Sequence, residues 1–185
     1  MPIKFRYSSD MTDPIRVLKS QLRDVPDFPK PGILFRDIGP LLANPSALAL
    51  SIELLANPFR GTHIDIVIGA ESRGFIFGTA VAMCLSAGFG LVRKPGKLPH
   101  KKVSMSYNLE YGTDTLEMHA DQIIPGQRVL IVDDVLATGG TMKACVDLVK
   151  QLDGQLAGIA VLIELTGLEG RKRLEPHAVH SVLQY

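Results

Sequence analysis

Val129-Leu130-Ile131-Val132-Asp133-Asp134-Val135-Leu136-Ala137-Thr138-Gly139-Gly140-Thr141 is an apolar run, then two adjacent acids, then a loop of small residues. An aliphatic run bounded by charge suits a strand buried on both faces, as in a parallel sheet. The C-terminal end of such a strand is where an open α/β sheet presents its ligands. From Gly139 the chain reads GGTMKACVDLVKQL, with Met142, Val146, Leu148, Val149 and Leu152 at near-helical spacing, so Ala137 to Thr141 is predicted to be a strand-to-helix loop. The N–H groups of a helix start, joined by the hydroxyls of Thr138 and Thr141, make an anion site. Gly139 and Gly140 let the backbone approach a phosphate closely, while Asp133 and Asp134 supply paired acceptors beside it. Such a combination suits a sugar phosphate, the acids accepting from a diol and the loop holding the phosphate.

Other nucleotide motifs are missing. The sequence holds no G-x-x-x-x-G-K-S/T, and Gly88-Phe89-Gly90 lacks the third glycine of a dinucleotide fingerprint because Arg93 stands in that place. Working outward, Ile64 to Ile68 reads as a second buried strand, followed by the polar loop Gly69-Ala70-Glu71-Ser72-Arg73-Gly74 and an apolar helix through Leu85. Leu91-Val92 suggests a further strand. Arg93 to Lys102 is basic and broken by Pro95, Gly96 and Pro99, so it reads as a mobile loop. Met105 to His119 alternates as a hairpin around Tyr111-Gly112-Thr113, Leu156 to Leu165 is another apolar strand, Leu168 to Leu174 a short helix, and Ser181 to Tyr185 a terminal strand.

Nearer the N-terminus, Asp13-Pro14 and Asn44-Pro45 each offer a cap and a first-turn proline for a helix. Phe28 to Pro40, FPKPGILFRDIGP, is too rich in proline for a regular element. Strands alternating with helices predict an α/β fold, a predominantly parallel twisted sheet flanked by helices.

At 185 residues and 46% apolar, with no shift in composition, the expectation is one domain over residues 1–185. Twenty Lys+Arg against 19 Asp+Glu give nothing that calls for nucleic acid or an acidic membrane, so any anion site is local. Cys84 and Cys145, each in an apolar helical pattern, read as core residues in a reducing compartment. His177-x-x-His180 has no companion ligands and reads as packing. The uncharged stretch between Arg73 and Arg93 reaches the length of a membrane span, but its glycines divide it into a buried helix and a strand. Met1 to Asp13 has no apolar core of a secretory signal, so a cytoplasmic location is expected.

The stretch around Asp133 to Thr141 resembles the phosphoribosyl-pyrophosphate (PRPP) signature of the type I phosphoribosyltransferases. That resemblance implies the type I phosphoribosyltransferase fold, with a small hood segment over about residues 1–40 and a flexible catalytic loop. It gives Asp133 and Asp134 the ribose hydroxyls and Ala137, Thr138, Gly139, Gly140 and Thr141 the 5′-phosphate. Gly69 to Gly78 resembles the family's pyrophosphate loop, implying Glu71, Ser72, Arg73 and Gly74 as pyrophosphate contacts, with a peptide between residues 71 and 72 that is commonly cis. Arg93, Lys94 and Lys97 would neutralise pyrophosphate as the basic loop closes over it.

Phe28 to Pro40 and Ser106 to Gly112, SYNLEYG, resemble the adenine-specific members of that family. Leu34, Phe35 and Arg36 then fall in the adenine pocket, where an aromatic face and main-chain groups recognise a flat base and its amino edge. Glu110 and Tyr111 fall at the catalytic position, Glu110 as proton acceptor or as partner of a ring nitrogen. The implied reaction converts PRPP and adenine to AMP and pyrophosphate, with Mg²⁺ carried mainly by substrate oxygens and no direct protein ligand. A homodimer is also implied.

Overall fold

The computed structural model describes residues 13–108 and 113–185. Composition marks no boundary, yet the chain divides into two compact units, one ending at Ser51 and one running from Ile52 to Tyr185.

In the first unit α1 (Pro14–Ser20) starts as the sequence predicts, the Asp13 carboxylate accepting from the Ile15 N–H at 2.9 Å ahead of a first-turn proline. The stretch expected to be irregular instead contributes to an antiparallel pair, β1 (Arg23–Pro26) and β2 (Leu34–Asp37), in register from Arg23↔Asp37 to Pro26↔Leu34. Its prolines do not obstruct the ladder. Pro29 and Pro31 lie in the connection, and Pro26 is the last residue of its strand. Across the pair Arg36 bonds Asp24, Arg23 lies 3.7 Å from Asp37, and Phe35 meets Phe28 edge to face with centroids 5.1 Å apart. After α2 (Gly39–Ala43), the Asn44 side chain caps α3 (Pro45–Ala56) by accepting from Ser46 and Ala47 N–H groups at 3.0 and 3.2 Å.

The second unit holds β3 (Ile66–Ala70), α4 (Gly74–Leu85), β4 (Gly88–Val92), a hairpin of β5 (Lys102–Asn108) and β6 (Thr113–His119), β7 (Arg128–Leu136), α5 (Gly140–Gln151), β8 (Gln155–Glu164) and β9 (Val179–Gln184). Five of these strands form an all-parallel sheet in the order β4-β3-β7-β8-β9. Numbered as the chain makes them, this is 2-1-3-4-5, so the winding reverses between β3 and β7. Right-handed crossovers in opposite directions put α4 and α5 on opposite faces. The crevice at the C-terminal ends of β3 and β7 is therefore where this topology leaves room for a ligand.

One face of the sheet presents Ile66, Ile68, Val129, Ile131, Ile159 and Val161 to a core completed by Leu116 and Met118 of β6 and Met142, Cys145, Val146 and Val149 of α5. The hairpin here replaces the helix that would normally cover the β4-to-β7 crossover. Its inward residues Val103, Met105 and Tyr107 pack against that core, opposite Met118, Leu116 and Asp114. Cys145 is buried as expected, but Cys84 is exposed. Apolar residues run round α4 on all sides, so its pattern did not reveal which face meets the sheet. Among the described residues no helix is long and apolar enough to cross a membrane.

Candidate active site

The loops after β3 and β7 enclose a cleft of about 200 Å³, lined by Glu71 to Arg73 and by Asp133 to Met142. The sequence-predicted pyrophosphate loop and sugar-phosphate loop thus meet at the reversal point of the sheet. Their nearest lining residues, Arg73 and Asp133, are 60 positions apart in sequence, and it is the parallel pairing of β3 with β7, Ile66↔Val129 through Gly69↔Val132, that joins them.

Asp133 and Asp134 remain in β7 beyond its last pairing with β3, and both are buried, at 8% and 4% exposure. The Asp133 Oδ1 accepts from the Asp134 N–H at 2.9 Å, and Arg73 Nε donates to Asp134 Oδ2 at 2.8 Å. Burial, reinforced by the Asp134 charge, pushes the Asp133 carboxyl well above the usual carboxylate range. Asp134 is also raised by burial, against the pull of Arg73. Two desolvated acids with raised proton affinity suit a ligand that brings hydroxyl donors and positive charge. Gly74 leaves room for this pair, since a Cβ there would lie 2.9 Å from Asp133 Oδ1.

Beyond the acids the chain turns through Ala137 to Gly139 into α5. Gly139 takes φ +81°, the left-handed region in which a side chain is strained, and as N-cap it starts α5 at the cleft wall, where Gly140, Thr141 and Met142 also line the cleft. Gly170, which the sequence pattern did not mark, backs this turn. A Cβ on Gly139 would sit 2.5 Å from the Gly170 carbonyl oxygen, and a Cβ on Gly170 would collide with the Ala137 carbonyl. Only the fold brings these two glycines together.

On the other wall the Glu71–Ser72 peptide is cis, as the resemblance implied. Glu71 lines the cleft and is hydrogen-bonded to the segment that follows β4. Its N–H donates to the Val92 carbonyl at 2.8 Å, and its carboxylate accepts from Lys94 N at 3.0 Å and from Arg93 Nε at 3.3 Å. Those contacts, the Lys94 N–H first, hold its pKa below the ordinary value. Arg93 also donates to the Lys97 carbonyl, and Lys94 pairs with Asp114. The segment expected to be a mobile basic loop is thus bonded at both ends, with Gly96 N–H donating to Glu117 and Lys102 pairing with Glu117 at 2.7 Å.

The hairpin reaches the phosphate loop through Tyr107, whose hydroxyl lies 3.2 Å from Asp114 Oδ2 and 3.3 Å from Thr141 Oγ1. Glu110 and Tyr111, assigned to catalysis, lie outside the described residues. Leu34, Phe35 and Arg36 are on β2 in the first unit, Phe35 against Phe28 and Arg36 against Asp24. Of the histidine pair, His180 Nε2 meets the Leu54 carbonyl at 3.0 Å, and burial lowers the His177 pKa. Among the described residues no cluster of three or more His, Cys, Asp or Glu could hold a metal.

Comparison with known proteins agrees with this geometry. Residues 37–183 match the model of the phosphoribosyl transferase domain. An adenine phosphoribosyltransferase of Rhodopirellula baltica is 58% identical over 168 residues, which cover 91% of this chain and 82% of the relative. The crystal structure of adenine phosphoribosyltransferase from Rhodothermus marinus superposes with a TM-score of 0.89 at 56% identity, covering 93% of this chain and 98% of the other. The Saccharomyces cerevisiae enzyme, solved with an imino-altritol bisphosphate and adenine, gives 0.87 at 40% identity, covering 92% and 98%. Matched by the domain model over residues 37–183 and 58% identical across 91% of its length to the Rhodopirellula baltica relative, the chain belongs to the adenine phosphoribosyltransferase family.

Proposed function

We infer that this protein transfers the phosphoribosyl group of PRPP to N9 of adenine, yielding AMP and pyrophosphate. The observation that carries this reading is the meeting of the buried Asp133–Asp134 pair and the Ala137–Thr141 turn in one cleft, in a chain 58% identical to an adenine phosphoribosyltransferase. The turn and the start of α5 take the 5′-phosphate, and the two acids accept from the ribose hydroxyls. Ser72, Arg73 and Gly74 face the leaving pyrophosphate; Arg93, Lys94 and Lys97 add positive charge at its edge, with Glu71 anchoring them. As the bond at C1 breaks, the sugar gains positive and the leaving group negative charge, so the protein's task is to align the partners and stabilise that separation.

Leu34, Phe35 and Arg36 are assigned to adenine, and Glu110, with Tyr111 beside it, to the proton on N9. The donor set suits Mg²⁺ carried on PRPP: desolvated carboxylates at Asp133 and Asp134 can bond the ion's waters, and the ion would neutralise the departing pyrophosphate. A homodimer is supported by the outer face of α4, where Ile76 and Met83 are 42% and 78% exposed in a stretch without charge. Free thiols at Cys84 and Cys145 fit a cytoplasmic setting.

Nucleotide formation from PRPP and Mg²⁺ with adenine, hypoxanthine, guanine and orotate tests the assignment. Adenine should be strongly preferred, because groups matched to an amino edge are left unpaired by an oxo group. Comparable kcat/KM with hypoxanthine would overturn it.

A further inference from the structure

Behind the phosphate turn, and outside the cleft lining, lies a polar cluster that the reaction does not use. Glu164 ends β8 at 5% exposure, and its carboxylate is gripped at two points by one edge of the Arg171 guanidinium, Nε to Oε1 at 2.9 Å and Nη2 to Oε2 at 2.5 Å. Arg171 Nη1 also donates to the Val179 carbonyl at 2.7 Å, and Nη2 lies 3.3 Å from Ser181 Oγ. Ser181 Oγ and Gln184 Nε2 complete the shell around Glu164, at 2.6 and 3.4 Å. A two-point grip of this kind fixes orientation as well as distance.

Arg171 is the residue after Gly170, whose backbone packs against Ala137 and Gly139. On the same side the Leu165 N–H donates to the Leu136 carbonyl at 2.9 Å, so the start of the segment is pinned to the end of β7. Between these two ties the chain runs through two short 3₁₀ turns, Thr166–Leu168 and Gly170–Leu174, elements with little rigidity of their own. We propose that Arg171, locked by Glu164 across the ends of β8 and β9, is a positioning residue that holds Gly170 as a backstop for the 5′-phosphate turn. Its guanidinium touches no substrate. Loss of the grip would let the 170–174 turn relax and the Ala137–Gly139 backbone drift back from the phosphate.

This proposal rests on the reading of Ala137 to Thr141 as the 5′-phosphate site, so the experiment separates the two. Arg171→Met keeps much of the side-chain length but none of the hydrogen bonds. It should raise the KM for PRPP and the Kd for AMP about 10- to 100-fold, the range for a misplacement near 1 Å. The KM for adenine should change less than about threefold, because the first-unit residues assigned to adenine are untouched. The ³¹P resonance of bound AMP should move, and Arg171→Lys should restore part of the loss in PRPP KM. Gly170→Ala leaves the Arg171–Glu164 grip in place but drives a Cβ into Ala137, and should give the same selective loss; it decides the matter should Arg171→Met fail to fold. Thr138→Ala serves as the direct probe of the turn. PRPP and AMP binding unchanged in folded Arg171→Met or in Gly170→Ala, but weakened in Thr138→Ala, would overturn the backstop and keep the phosphate site. Equal losses for PRPP and adenine, without recovery in Arg171→Lys, would likewise overturn it by reducing Arg171 to a general stabiliser. Binding unaffected by Thr138→Ala as well would remove the phosphate site itself.

Discussion

Asp133→Asn should make the substrate-free protein more stable and the enzyme worse. The pair at 133 and 134 is buried, and burial followed by mutual repulsion raises the proton affinity of Asp133. A folded pKa above the unfolded value of about 3.9 means that the group's contribution is complete below that pH and is lost as pH rises through the raised value. The penalty on the free wild-type protein therefore grows as pH rises toward and through the raised value. Asparagine removes the charge but keeps an oxygen for the Asp134 N–H. Removing a buried, repelled charge while keeping the hydrogen-bond acceptor should stabilise the fold by about 1–2 kcal/mol, within the usual span of a single substitution. For a chain of this length that raises Tm by about 2–8 °C.

The loss appears on the ligand side. The asparagine nitrogen cannot accept from a ribose hydroxyl, and one charge-assisted hydrogen bond of about 1.5–3 kcal/mol is forfeited. PRPP affinity should fall about 10- to 100-fold, at about 1.4 kcal/mol per decade. Differential scanning calorimetry at pH 5 and pH 8, with titration calorimetry of PRPP and Mg²⁺, reads both halves; the gain in Tm should be larger at pH 8. A lower Tm at pH 8 with unchanged PRPP affinity would refute the reasoning, because the acids would then be serving the fold and not the ligand.

Binding of PRPP with Mg²⁺ should also release protons from this pair, tightening with pH by up to about tenfold per unit between the ordinary carboxylate pKa and the raised one. Calorimetry in two buffers of different ionisation enthalpy measures it; release that persists in Asp133→Asn would trace it to another group. Gly139→Val puts a β-branched residue at φ +81° with its Cβ 2.5 Å from the Gly170 oxygen, and should weaken PRPP at least tenfold, allowing about 1–3 kcal/mol for strain. Unchanged PRPP affinity in the folded variant would mean that the turn does not cradle the phosphate. Glu110→Leu should cut single-turnover AMP formation about 10²- to 10⁴-fold with little change in PRPP binding, and Glu110→Gln should stay impaired where proton removal is essential. Near-normal single-turnover rates in Glu110→Leu would take Glu110 out of the chemistry.

The sequence made the β7-to-α5 passage plain because each step is local: an aliphatic run, two acids, a glycine turn and a helix repeat follow one another without interruption. The same holds for the loop after β3 and for the Asp13 and Asn44 caps. What it concealed depends on partners distant along the chain. Arg93 to Lys102 has the composition of a loose loop, and only the fold brings Glu71 and Glu117 to its start. Gly170 has no local reason to be glycine; its reason is Ala137. The β1–β2 pair was hidden by proline content because nothing in FPKPGILFRDIGP tells which prolines fall between strands. Cys84 was misplaced because an apolar helix face does not declare whether the sheet covers it.

The hairpin that stands in for a crossover helix has a consequence for how this fold can vary. A helix must keep its length in register with the sheet beneath it, whereas β5 and β6 pair with each other from Lys102↔His119 to Asn108↔Thr113 and bridge to the chain just past β4 near their base, through Arg93↔Glu117. Residues can be added to or removed from its far end without shifting a single main-sheet partner. Side-chain alternation sets the rule for such changes: Val103, Met105 and Tyr107 face inward while Ser104 and Ser106 face out, so matched insertions of two residues per strand preserve the pattern and an odd one inverts it. The hairpin ladder can therefore be lengthened or shortened in even steps, a quantised freedom open to related sequences while the sheet that builds the cleft stays fixed.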